Sequence, residues 1–282
     1  MHLAISDKLF AHVEDQTREY RVDDISGLGR WVDANEGEGG GYEDPVQGYP
    51  KTYTPVKRWK KLQVSFEAVD QDEYALLKRE GEVREMGKGA ADYVEFTAAS
   101  ILADGFATAG PDGQFLFSNS HPKNREETGT TYDNLLDGAF SHDNLETAET
   151  QIANNYFNSK GIPIQPLENP YLVYGPALRG TVERVLSDRA LERPGVTTRD
   201  INRFAGRYQP LESRYLSAAL AGSATMWFII YSELDFLKLI WQVKPHFSYW
   251  IDHDNEYYNW KGRMLLDMGE SNWRCGFGST GA

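Results

Sequence analysis

Three observations predict an α+β fold for this 282-residue chain: one strand of strict alternation, a long helical pattern directly after it, and an aromatic-rich C-terminal stretch. In Lys61 to Ala68 the apolar Leu62, Val64, Phe66 and Ala68 interleave with Lys61, Gln63, Ser65 and Glu67, the period of a half-buried strand. From Asp72 onward Val83, Met86, Ala90, Val94, Thr97 and Ile101 recur at three- and four-residue steps, the period of an amphipathic helix. Unbroken from Asp72 to Ala103 it would measure about 48 Å. Gly81, Gly87 and Gly89 each cost about 1 kcal/mol against alanine, so its first half is expected to kink or loop and Ala90 to Ala103 to hold.

Residues 1 to 50 carry eleven acids against four bases, net −7, and read as an extended arm whose least structured part is the run Glu36 to Gly41. Lys51, Lys57, Arg58, Lys60 and Lys61 follow with no acid among them. The two segments are electrostatic complements, either as a solvated face or as an arm docking on an acidic neighbour. Past the helix, Gly110-Pro111-Asp112-Gly113 has the chemistry of a tight turn, followed by a short strand over Gln114 to Phe117 and a polar loop to Tyr132. Ser141 or Asp143 can cap a helix running to Lys160, with Leu145, Ala148, Ile152 and Tyr156 as its stripe and Gly161 and Pro163 as its stop. Tyr171 to Tyr174 reads as a buried strand, and Gly175-Pro176 opens a helix through Leu178, Val182, Val185 and Leu186. Leu191 to Pro210, punctuated by Arg193, Arg199, Arg203 and Arg207, reads as a surface loop. Met226 to Tyr231 is a core strand. Trp241 to Phe277 reads as two or three antiparallel strands with turns near Asp252 to Asn255 and Gly269 to Asn272.

Composition narrows the function. With 40% hydrophobic and 13% aromatic residues the chain folds around a substantial core. No run approaches about 18 apolar residues, so no membrane span is expected, and Asp7 and Lys8 interrupt the start where a signal peptide needs an apolar centre, so the protein is expected to stay inside a cell. The single Cys275 allows no intrachain disulfide and no cysteine-ligated zinc. A net charge of −13 argues against gripping nucleic acid, though not against containing it.

No constellation demands catalysis. Ser118-Asn119-Ser120-His121-Pro122 lacks a nucleophile elbow and reads as loop chemistry. Asp252-His253-Asp254-Asn255-Glu256 starts like a calcium loop, but Tyr257 stands where glycine is needed, so a hairpin turn is the better reading. The glycines of residues 37 to 41 are followed by no Gly-Lys-Ser/Thr and read as linker. His2, His12, His121, His142, His246 and His253 show no ligating spacing, and forty-two carboxylates make any glycosidase pairing uninformative. No cofactor, metal or catalytic residue is expected.

The order of features resembles the major capsid protein of tailed bacteriophages, of the Hong Kong 97 type fold, and most closely Mu-like major head subunits. The matching stretches are Lys61 to Glu67 running into Asp72-Glu73-Tyr74, then Met86-Gly87-Lys88-Gly89-Ala90-Ala91, Leu116-Phe117-Ser118 with His121-Pro122, Pro170 to Leu178, and the terminal Asn272 to Gly281. The resemblance implies an N-terminal arm (1–45), an extended loop (46–70), a peripheral domain with a long spine helix (71–140), an axial domain (141–245) and C-terminal strands of the peripheral domain (246–282). It implies inter-subunit contacts through Lys57, Arg58, Trp59, Lys60 and Lys61 of the extended loop. It also implies hexameric and pentameric capsomers, an icosahedral shell around double-stranded DNA bound without sequence specificity, and portal, scaffolding and decoration proteins as partners. The protein would assemble in the host cytoplasm and reside in the virion. No long helical scaffolding segment precedes residue 50, so scaffolding is expected to be separate or already removed. Two rivals are an encapsulin-type nanocompartment shell and a soluble carbohydrate-active enzyme using the Trp-rich C-terminal half.

Overall fold

In a computed structural model, residues 5–23, 29–31, 33, 36, 42–71, 79–164, 170–187, 202–218, 220 and 222–282 are described. The expected glycine linker falls almost wholly outside them, as do Arg193 and Arg199. In chain order the elements are α1 (Ile5–Leu9), β1 (Ala11–Glu14), β2 (Tyr20–Val22), β3 (Lys51–Tyr53), β4 (Val56–Ser65), α2 (Phe66–Asp70) and α3 (Arg79–Ala103). There follow β5 (His121–Pro122), β6 (Thr131–Tyr132), β7 (Leu135–Leu136), α4 (His142–Asn155), β8 (Tyr171–Tyr174), α5 (Arg179–Leu186), β9 (Gln209–Glu212) and β10 (Trp227–Ile230). The chain ends with β11 (Leu237–Asp252), β12 (Tyr257–Glu270) and β13 (Gly276–Ser279).

Two sheets organise the molecule. The five-stranded sheet has the order β7-β13-β10-β8-β9, with β13 and β8 antiparallel to β10 and the outer pairs parallel. Trp227, Phe228, Ile229 and Ile230 of β10 are all fully buried, the mark of a strand covered on both faces. Phe228 stacks against Phe106 and Phe117 with ring centroids 5.8 and 5.3 Å away. α4 behaves as its sequence demands: Ser141 Oγ accepts from the Asn144 N–H at 3.1 Å, and Leu145, Ala148, Ile152 and Tyr156 are all buried.

The four-stranded sheet has the order β1-β11-β12-β4. β11 and β12 form a long antiparallel hairpin, and β4 pairs with β12 from Val56↔Leu266 to Ser65↔Tyr257. At about 3.3 Å per residue the 16 residues of β11 span roughly 50 Å. Its register shifts on both sides of Val243, and Pro245, which has no N–H to donate, sits in the second irregularity. α3 lies against β12, β11 and α1.

Several expectations are corrected. The alternating strand stops at Ser65, because Ser65 Oγ accepts from the Ala68 N–H and caps α2, so Phe66 and Ala68 are helical; the strand instead reaches back through the basic residues to Val56. α3 runs through Gly81, Gly87 and Gly89 without a break, since packing against the hairpin outweighs their propensity cost. The side it buries is Met86, Val94, Ala98, Ala99, Leu102 and Ala103, while Val83 is exposed and Thr97 and Ile101 are half-buried. Gln114 to Phe117 is no strand but a loop with one isolated bridge, Ala109↔Phe115, although the turn before it forms with Gly113 at φ 81°. α4 ends at Asn155 rather than Lys160; the Asn158 side chain accepts from the N–H groups of Lys160 and Ile162 and builds a separate turn there. Residues 5 to 14 are not a free extension: Ile5, Leu9 and Phe10 are buried, Glu95 of α3 accepts from the N–H groups of Ile5 and Ser6, and β1 runs parallel to β11. Of the two or three antiparallel strands expected over Trp241 to Phe277, β11 and β12 pair with each other, and β13 crosses into the five-stranded sheet.

Candidate inter-subunit interface

The cationic residues singled out in the sequence lie together on β4, at the edge of the four-stranded sheet. Its outer edge pairs with no strand among the described residues. Strand periodicity puts Lys57, Trp59 and Lys61 on one face and Arg58 and Lys60 on the other. Lys57, Lys60 and Lys61 are exposed, and Trp59 is 58% exposed with the Lys61 ammonium 5.2 Å from its ring centroid. Arg58 differs: its Nε donates to Tyr93 Oη at 2.6 Å, which fastens β4 to α3. Four of the five residues therefore face solvent and one serves its own chain.

A groove of about 290 Å³ opens between β4, α3 and the hairpin. Met86, Tyr93, Phe247 and Met264 give it apolar walls, Gly89 leaves its helical side open, and Lys60 and Arg263 stand on its rim. An added Cβ at Gly89 would meet nothing within 4 Å, so the missing side chain helps keep the groove wide. Beside it lies a second hollow of about 520 Å³ lined by Lys60, Lys61, Leu62, Lys88 and Asp92. Tyr93, Phe247 and Met264 escaped the sequence reading because nothing local marks a helix residue that will face a hairpin more than 150 positions later. The hairpin's own aromatic ladder, Tyr249, Tyr258 and Trp260, has ring centroids 5.4 to 6.4 Å apart. Trp250 and Ile251 near its tip are exposed.

The other singled-out clusters serve the fold. The Ser118 hydroxyl sits 3.1 Å from Ser120 Oγ, not on an imidazole. The ring of buried His121 is used at both nitrogens, Nδ1 2.6 Å from Asp112 Oδ2 and Nε2 3.1 Å from Asn134 Oδ1, and it stacks on Trp273 at 4.5 Å. Asn134, missed in the sequence, is a hub: its Nδ2 donates to the carbonyls of Leu116, Trp273 and Gly276, and its Oδ1 accepts from the Ser118 N–H. Asp252 closes the hairpin turn, accepting from the Asn255 side chain at 2.9 Å and from the N–H groups of Asp254 and Asn255. Those bonds, the Asn255 side chain's first, hold its carboxyl below the ordinary value. Arg203 and Arg207 of the expected loop pair with Glu146 and Glu149 of α4. Burial pushes the Cys275 thiol up and leaves it protonated inside the core.

An edge strand, a 25-residue helix and a long hairpin packed together match phage capsid subunits of the Hong Kong 97 type fold. A family model described as phage capsid protein matches residues 48–259, and the chain belongs to that family. It is a major capsid protein of a tailed phage. Solved structures agree on the fold. The mature capsid of bacteriophage PhiM1 is similar with TM-score 0.66 at 13% identity, over 99% of this chain and 87% of that one. The capsid of cyanophage P-SCSP1u gives TM-score 0.66 at 12% identity, over 99% and 88%. The capsid of bacteriophage JBD30 decorated with minor capsid protein trimers gives TM-score 0.62 at 13% identity, over 77% and 92%. A comparison with curated proteins returns no match.

Proposed function

We propose that the chain builds its shell by packing β4 and the hairpin onto sister copies, forming hexameric and pentameric capsomers that close around double-stranded DNA. The carrying observation is an edge strand that presents Lys57, Trp59, Lys60 and Lys61 outside its own core. Residues 46–70 would act as the extended loop, 1–45 as an N-terminal arm fastened to its own chain over residues 5 to 14, 71–140 with 246–282 as the peripheral domain, and 141–245 as the axial domain around the capsomer centre. Contacts of this type are heterologous and close into rings. The net charge of −13 suits an inner wall past which packaged DNA slides without being gripped. Assembly in the host cytoplasm with portal, scaffolding and decoration proteins belongs to the same reading, and the protein works by assembly rather than by catalysis. No observation favours an encapsulin or a carbohydrate-active enzyme.

Negative-stain imaging and light scattering of the expressed protein test this. Closed shells or capsomer sheets are expected. A monomer of 31.9 kDa persisting at high concentration would overturn it.

A further inference from the structure

Two aromatic side chains near the N-terminus have no cover among the described residues. Trp31 and Tyr42 are fully exposed, the most exposed large apolar residues described. Their segment is nonetheless held at its base: Glu43 accepts from the Gly29 N–H at 2.9 Å and pairs with Lys160 Nζ at 2.9 Å, and Lys160 also donates to the Asp44 carbonyl. Residues 29 to 44 carry Asp33, Glu36, Glu38, Glu43 and Asp44 against the single base Arg30. An isolated exposed tryptophan is ordinary. An exposed tryptophan two residues from the held Gly29, in an acidic stretch of the sequence, and a groove walled by Tyr93 and Phe247 with a basic rim form a matched pair.

We infer that Trp31 of one copy inserts into the groove of about 290 Å³ between β4, α3 and the hairpin of a second copy. The groove takes one large aromatic ring against Met86, Tyr93, Phe247 and Met264, with Gly89 leaving room on the helical side. Lys60 and Arg263 on the rim face the loop's acids, and Trp59, itself 58% exposed, would be covered at the same time. The groove is lined by Arg58, Lys60 and Arg263 with no acid among its described lining residues; in the adjoining hollow Glu85 pairs with Lys88, and Asp92 accepts from Tyr215 Oη at 2.6 Å. The rim therefore keeps a positive balance toward an incoming loop. Tryptophan and arginine are enriched at the energetic centres of interfaces, and a cation over an indole face adds to the contact. This inference rests on the self-assembly proposed above and names the contact that drives it.

The test replaces Trp31 with the photoreactive p-benzoylphenylalanine in the full chain, in shells assembled from isotopically heavy and light copies. Illumination is expected to give heavy-to-light crosslinks that map by mass spectrometry to Met86, Tyr93, Phe247 or Met264. Crosslinks confined to single copies, or mapping elsewhere, would overturn the inference. Two variants read the same contact by another route. Trp31→Ala is expected to unfold like the parent as a monomer and Gly89→Phe to be at least as stable as it, yet each to need about tenfold more protein to assemble, one by losing the aromatic anchor and the other by filling its groove. Shells forming at the parent's concentration would overturn it. If the parent itself never assembles, it is the self-assembly reading that falls.

Discussion

The central strands β10 and β13 of the five-stranded sheet are covered on both faces by their own chain, whereas the long hairpin of the four-stranded sheet is covered over only part of its length. Every residue of β10 and of β13 is buried. In β11 burial is dense from Leu237 to Trp241, beside β1 and α3, and from Lys244 onward every residue is exposed or half-buried. The apolar content does not fall at that boundary: Phe247, Tyr249, Trp250 and Ile251 all lie beyond it. What changes is the supply of neighbouring atoms. Apolar surface gains free energy only where something excludes water from it, so the first sheet stabilises the subunit, and the second leaves apolar surface uncovered that the assembly proposed above would bury.

That contrast can be broken at several points. The largest effect on the isolated subunit is expected from Phe228→Ala, which opens a cavity beside Phe106 and Phe117 and should cost about 3–5 kcal/mol in urea unfolding. A loss below about 1 kcal/mol would mean this core is not the stabilising one. Asn134→Ala leaves Leu116 and Trp273 carbonyls without this donor and the Ser118 N–H without this acceptor, and should cost about 3 kcal/mol by the same measurement. Gly87→Ala adds a methyl group to open space on α3 and should raise stability by about 1 kcal/mol; a decrease would show that the helix needs its glycines. Smallest on the monomer is the triple change Lys57→Glu, Lys60→Glu, Lys61→Glu, expected to shift unfolding by no more than about 0.5 kcal/mol because these side chains are exposed. The same triple change should abolish shells in electron micrographs, and normal shells would remove β4 from the interface. Cys275 offers a further check on the dry region: it should react with maleimide only after unfolding.

Elements with a local cause were legible before any coordinates. The Ser141 cap with the Leu145, Ala148, Ile152 and Tyr156 stripe, the Gly113 turn, β8, β10 and the hairpin turn at Asp252 each announce themselves within a few residues. Of the candidate interface, the cationic run on β4 was legible and its groove was not. Arg58 shows the limit: by type it belongs with Lys57 and Lys60, and only the proximity of Tyr93 makes it a fastening within one chain.

By itself the amino-acid sequence determined the elements with a local cause, such as the start of α4, β8 and β10, and which segments carry charge, because those properties arise from period and from side-chain type. The tertiary structure alone decided that α1 docks under Glu95, that β13 leaves the hairpin for the other sheet, and that Asn134 ties together carbonyls up to 142 positions away. It also decided that three glycines remain helical. Each of these is settled by a partner distant in the chain, and a pairing energy that depends on two remote segments leaves no mark in either one read alone.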